Sequence, residues 1–422
     1  MTETVQGLVD HLFRRSAGQM VATLTRIFGP AHLSLAEEVV QEALLTALQQ
    51  WRMSAIPDNP EAWLFQVARN RALDAVRRLK SFDEKVARLE VAASAESEWP
   101  GFAHEPEDDQ LRMMLMCCHP AIPEDGRIAL TLKTVGGFSV EEIARAFLTK
   151  DDTIAQRIVR AKRLIRDEKI PVEMPSREEL PERIESVLKV LYLTFNEGYS
   201  AHTGEDLIRN DVVAEAIRLA RLVADHPLAG TPAASALASL MLLQGARLPA
   251  RLDTAGELAT LEDQDRSLWD RAMIFAGVRY LDRSAAGDRV TAYHIEAALA
   301  AVHSTAPSFE DTDWQHILQL YDELLAVKPS PVVALNRAVA LAMLRGPQAG
   351  IAAVEQLAAH NSLRDYLPFP VTLGELWLRA GDPSRAATWF SRALELPSTT
   401  PEKRFLLRKL EHCRGDRAHG SA

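Results

Sequence analysis

"FSVEEIARAFLTKDDTIAQRIVRAKRLIR", residues 138–166, decides how the chain is read. Ser139 followed by Glu142 is a capping box, which opens a helix by satisfying its free N–H groups. Val140, Ile143, Ala144 and Phe147 give that helix one apolar face. "TKDD" makes a short turn. Thr153 and Gln156 then have the spacing to cap a second helix. Ile154, Ile158, Ala161 and Ile165 recur at helical spacing and point inward, which turns Gln156, Arg157, Arg160 and Arg163 outward. Two short helices and a tight turn, with a basic second helix, form a helix-turn-helix.

The bland reading of this helix is a solvated charged face. Three features weigh against it. The first helix and the turn have the right lengths. The cations are mostly arginine, whose planar fork suits phosphates and guanine edges. Residues 153–169 hold six basic and two acidic side chains in a chain of net charge −10, so the positive patch is local. With 422 residues, 47% hydrophobic and 25% charged, the chain is too long for one core and has an ordinary composition. Alternating β patterns are nearly absent, which predicts an all-α protein of two or three domains. No apolar run nears the ~18 residues of a membrane span, and the N-terminus lacks a signal-peptide pattern, so a cytoplasmic protein with no membrane partner is expected.

Upstream, "NPEAWLFQVARNRALDAVRR" (59–78) sets aromatic residues ahead of arginines, a combination suited to an opened single strand. Leu64, Val67 and Ala68 read as core, and Trp63 stands between the two readings. Residues 1–80 form a first helical unit, 81–107 an acidic linker, 108–170 the unit with the helix-turn-helix, and 171–183 a proline-bearing linker. Residues 184–415 read as a long helical extension. Its end repeats: Tyr321, Glu355 and Phe390 are spaced by 34 and 35 residues, and Gly346 and Gly381 by 35. "LGELWLRAGDPSRAATWFSRALELP" (373–397) is close to a tetratricopeptide pattern, which predicts stacked helical hairpins. Residues 184–300 equally allow a non-repeating α bundle.

These stretches carry a resemblance. The chain resembles an extracytoplasmic-function sigma factor of bacterial RNA polymerase, of the subgroup with a large tetratricopeptide-like C-terminal extension. "LAEEVVQEALLTALQQW" (35–51) is similar to the helix that grips the polymerase clamp, "NPEAWLFQVARNRALDAVRR" to the element that reads and melts the −10 region, and the opening stretch to the −35 reader. "VLYLTFNEGYSA" (190–201), "LEDQDRSLWDRAMI" (261–274), "AVHSTAPSFEDTDW" (301–314) and "SPVVALNRAVA" (330–340) resemble the extension. The resemblance implies core polymerase (clamp and flap) and promoter DNA as partners. It implies core binding through Glu38, Gln41, Glu42 and Leu45. Contacts at −10 fall to Asn59, Trp63, Arg69, Asn70, Arg71, Arg77 and Arg78, and contacts at −35 to Lys150, Thr153, Gln156, Arg157, Arg160 and Arg163. Asp152 stands where many members carry Gly, and Ala155 where they carry a basic residue, so their −35 preference does not transfer.

Other chemistry finds little support. Cys117 and Cys118 are adjacent, without the spacing or second pair of a zinc site, and "LRMMLMCCHP" reads as core. Glu197, His202 and Glu205 in "FNEGYSAHTGEDL" lack a nucleophile, metal set or phosphate loop, so no enzyme, cofactor or metal is expected. Glu262, Asp263, Asp265 and Asp270 lack the glycine-punctuated spacing of a calcium loop and suit a helix start above Trp269. The rival reading is a stand-alone helix-turn-helix regulator whose repeats bind a peptide or protein ligand; it would not need the N-terminal unit. The extension is expected to control the DNA-reading units in cis. The family resemblance favours an extension that the factor needs over one that inhibits it.

Overall fold

The computed structural model describes residues 5–53, 56–78, 105–147, 149–199, 209–253 and 257–419. Most of the expected acidic linker (81–104) and the segment 200–208, with His202, Gly204 and Glu205, lie outside them. Within the described residues the fold is helical, with one isolated antiparallel bridge, Leu252 to Leu258. The chain divides into two compact units, Met1–Leu193 and Thr194–Ala422.

In the first unit, α1 (Val5–Phe28) packs on α2 (Leu33–Met53), α3 (Pro60–Arg78) and α4 (Glu105–Cys117). The apolar residues of α2, Ala36, Val39, Val40, Ala43 and Ala47, recur at three- and four-residue steps, and all are buried. Gly18 lets α1 approach the end of α5 (Glu124–Thr134): a Cβ there would lie 2.0 Å from the Val135 carbonyl oxygen. α4 begins at Glu105, inside the stretch expected as linker, and is tied to α1 by charge. The buried carboxylate of Asp109 accepts from Thr23 Oγ1 at 3.0 Å and pairs with Arg26 Nε at 2.7 Å. α6 (Val140–Ala146) and α7 (Asp151–Asp167) complete the unit with the first part of α8 (Leu180–Tyr199).

The proline-bearing stretch 171–183 is partly structured. Ile170 and Val172 are buried, and α8 starts at Leu180. Ser186 donates to the Cys118 carbonyl at 2.9 Å and accepts from Arg127 at 2.8 Å, while Lys189 pairs with Glu124. These contacts hold the N-terminal half of α8 on α4 and α5, so the division between units falls inside a helix.

The second unit opens with α9 (Asn210–Asp225), α10 (Pro232–Gly245), α11 (Arg271–Ser284) and α12 (Ala292–Thr305). α10 is apolar on almost every side and buried along nearly its whole length; α9, α11 and α12 surround it. This stretch is therefore a bundle around a central helix. Trp269 is buried beneath the start of α11, which Asp270 caps by accepting from Met273 N–H at 2.9 Å. Next come α13 (Trp314–Val327) and α14 (Pro331–Arg345). α14 and α15 (Pro347–Glu355) form one hairpin, α16 (Pro368–Arg379) and α17 (Pro383–Leu394) a second, and α18 (Thr400–His419) packs on α17. Gly346 and Gly381 turn the two hairpins at φ 91° and 79°, a region that side chains disfavour. Of the three positions matched by the repeat, Phe390 is fully buried and Tyr321 packs against the α12–α13 core, but Glu355 is exposed at the end of α15. α15 has 9 residues against 12 in α17 and ends at Glu355, whereas Phe390 lies inside α17.

Candidate nucleic-acid interface

The capping box at the start of α6 is complete. Ser139 N–H donates to Glu142 Oε2 at 2.7 Å, and Glu142 N–H donates to Ser139 Oγ at 3.1 Å. Ile143 and Ala144 are buried behind it. α7 starts at Asp151, two residues before Thr153, so Thr153 lies within the first turn and does not cap. Ile154, Ile158, Ala161 and Ile165 are buried as their spacing dictates. The outward face carries Asp152, Gln156, Val159, Arg160 and Arg163, all exposed. Arg160 and Gln156 have no side-chain partner among the described residues. Arg163 pairs with Asp167 at 3.2 Å, and hydrogen bonds from Arg166 and Arg163 hold the Asp167 carboxyl below its ordinary range. Lys150 is exposed just before the helix.

Arg157 differs from its expected place. It lies on the flank of α7, where its Nε pairs with Asp125 Oδ2 on α5 at 2.9 Å. On the other flank, Lys162 pairs with Glu37 of α2. Neither link was legible in the sequence, because each joins residues far apart in the chain. The outward face between these flanks is left to meet a partner, with guanidinium and carboxamide groups suited to phosphates and base edges.

On α2, Glu38, Gln41, Glu42 and Leu45 are all exposed on one side, with Leu45 at 57%. An exposed leucine between acidic and amide groups suits a protein partner with an apolar contact and a basic rim. On α3, Asn59 caps the helix by accepting from Ala62 N–H at 3.0 Å. Trp63 is half-buried beside Trp51, ring centroids 5.5 Å apart. Arg69 contacts Gln66 at 3.4 Å, and Asn70 is exposed. Arg71 is held by α2: it donates to Glu42 and, at 2.7 Å, to Thr46 Oγ1. The α2 and α3 residue sets thus adjoin. Arg77 and Arg78 end α3, and their side chains lie outside the described residues.

Cys117 and Cys118 are buried, with Sγ 3.3 Å from Thr134 Oγ1 and 3.6 Å from Thr131 Oγ1. Burial raises both thiols, that of Cys118 to about 11, so they are packing groups and not thiolates. In the second unit a cavity of about 280 Å³ is lined by residues that include Phe309, Trp314, Tyr321, Asn336, Glu375 and Arg379. Burial pushes the Tyr321 hydroxyl up to about 12. Among the described residues no helix is long and apolar enough to cross a membrane.

Residues 12–82 match the family Sigma-70 region 2, residues 112–165 match Sigma-70 region 4, and residues 183–285 match a family of unknown function, DUF6596. An uncharacterized protein of Rhizobium meliloti is 39% identical over 417 residues, covering 98% of this chain and 97% of its own. The ECF RNA polymerase sigma factor SigE of Mycolicibacterium smegmatis is 28% identical over 162 residues, 37% of this chain and 60% of that protein. The RNA polymerase sigma factor CarQ of Myxococcus xanthus is 28% identical over 138 residues, 33% of this chain and 75% of that one.

Proposed function

We propose, for a chain that belongs to the extracytoplasmic-function sigma factors of bacterial RNA polymerase and carries a C-terminal extension, a division of labour among its helices. As a sigma factor it binds core polymerase and promoter DNA, directs the enzyme to its promoters and starts transcription there. In our reading, α7 enters the major groove at −35 with Gln156, Arg160 and Arg163 toward the bases. Lys150 and Thr153 lie near phosphates at its start, and Arg157 serves on the flank. α3 acts at −10 through Trp63, Asn70 and its arginines, with Asn59 setting where the helix begins. α2 docks on the polymerase clamp through Glu38, Gln41, Glu42 and Leu45, and the helix-turn-helix unit meets the flap.

The observation that carries this reading is the outward face of α7, basic and exposed while its inner face is buried. Run-off transcription with core polymerase tests it. Arg160→Ala should cost about 1–3 kcal/mol in promoter binding if it reads a base, with loss of upstream protection. Trp63→Ala should instead reduce strand opening, read by permanganate. Identical failure of both at the closed complex would refute the division.

The extension, in this reading, governs the DNA-reading units in cis and is needed for activity. Its cavity beside Trp314 and Tyr321 is the candidate seat for a protein or peptide partner. A 1–193 fragment keeps the α8 contacts with Cys118 and Glu124, so its transcription beside that of the full chain isolates the extension. Equal activity on every promoter would remove the regulatory role.

A further inference from the structure

Val159 is 64% exposed, yet it stands on the outward face of the α7 reading helix. At about 100° per residue, Gln156 lies one turn before it and Arg163 one turn after it, with Arg160 adjacent. It belongs to none of the buried positions of α7, which are Ile154, Ile158, Ala161 and Ile165. A single exposed valine on a protein surface ordinarily has no meaning. This one stands on the face assigned to the major groove, beside Gln156 and Arg163 and with the small Ala155 one turn before it, so what it meets there is a base edge or a phosphate.

In the major groove one ordinary base presents an apolar group: thymine, through its C5-methyl. Valine suits that contact. Its branched side chain is held in one dominant χ1 rotamer within a helix, so its methyl groups are fixed in direction and lose little freedom on binding. It can accept or donate no hydrogen bond, so the amino group of cytosine or a phosphate oxygen gains nothing from it. The hydrogen-bonding neighbours have complementary tasks: Gln156 can pair with the N6 and N7 edge of adenine, and Arg160 or Arg163 with the O6 and N7 edge of guanine.

We infer that Val159 is a specificity-determining residue of this factor, selecting a thymine in the upstream promoter element by contact with its C5-methyl. The inference rests on the reading of α7 as the −35 helix. Val159→Ala keeps the helix, since alanine is the better helix former, and removes the contact.

The test uses the full chain with core polymerase and a promoter library randomised across the upstream element. The wild type should select a thymine at one position whose preference Val159→Ala alone erases, while Arg160→Ala erases a preference elsewhere in the element. Replacing that thymine by deoxyuridine removes only the methyl. It should weaken wild-type binding about fourfold, the worth of one buried methyl, and leave Val159→Ala indifferent. If Arg160→Ala shifts the selected sequence but Val159→Ala keeps the wild-type thymine preference and the deoxyuridine penalty, the inference is overturned and the reading of α7 stands. If Arg160→Ala and Val159→Ala both leave the selected sequence unchanged, α7 is not the reader, and the reading and the inference fail together.

Discussion

Asp109 shows how a single residue joins parts of the chain that sequence patterns treat separately. It sits on α4, is 2% exposed, and answers Thr23 and Arg26 on α1. Asp109→Ala should lower stability by about 1–3 kcal/mol, read as an earlier urea midpoint for the first unit. A shift no larger than at an exposed carboxylate would mean that the link contributes nothing. His303 is a second such residue. Burial, then the charges of Arg247 and Arg266, push its imidazole down to about 3 from 6.5. The unfolded chain takes up this proton below pH 6.5, whereas the folded one does not until near 3. The His303 contribution is therefore fully present above pH 6.5 and is lost as pH falls toward 3. The slope is at most about 1.4 kcal/mol per pH unit. His303→Phe should flatten the dependence of stability on pH between 4 and 7 in urea titrations, and an unchanged slope would contradict this.

Elements owe their limits to local chemistry and their places to packing. The Ser139–Glu142 box decides where α6 begins, and Ser139→Ala should cost about 1 kcal/mol, seen in thermal unfolding. The hairpin of α16 and α17 depends on close approach. A Cβ on Gly374 would lie 2.6 Å from the Phe390 ring, and Phe390 is fully buried. Gly374→Ala should destabilise the second unit by about 1–3 kcal/mol through overpacking, with part of the loss recovered in Gly374→Ala/Phe390→Leu. An additive double variant would show that the ring is not what the new methyl strikes.

Across the molecule, the two stretches that match sigma regions 2 and 4 share one compact unit. The Lys162–Glu37 pair joins them, and Asp109, just ahead of the second, ties α4 to α1, while the exposed faces of α2 and α7 remain open. Lys162→Glu sets two carboxylates together, and Glu37→Lys sets two cations together. Each should loosen the unit, and the double exchange should restore it, with a coupling of about 0.5–3 kcal/mol measured by a double-mutant cycle in urea. A coupling near zero would mean the pair is incidental.

Periodicity and the Ser139–Glu142 box determined the two helices of the helix-turn-helix, the inward set Ile154, Ile158, Ala161 and Ile165, and the outward set Gln156, Arg160 and Arg163, though not the start of α7, which lies at Asp151 and not at a Thr153 cap. These depend on neighbours within one or two turns, and such neighbours are always adjacent in the chain. The two glycine-turned hairpins were legible for the same reason. Contacts between distant segments were decided only by the tertiary structure. Arg157 turned aside to Asp125, Arg71 was taken up by Glu42 and Thr46, α8 ran from Leu180 across the division between units, and Glu355 fell out of the repeat. A long arginine reaches any carboxylate that packing brings near, and sequence spacing does not encode which one that is. Helical spacing says which side of a helix is buried, but what lies against its flanks depends on how separate helices pack.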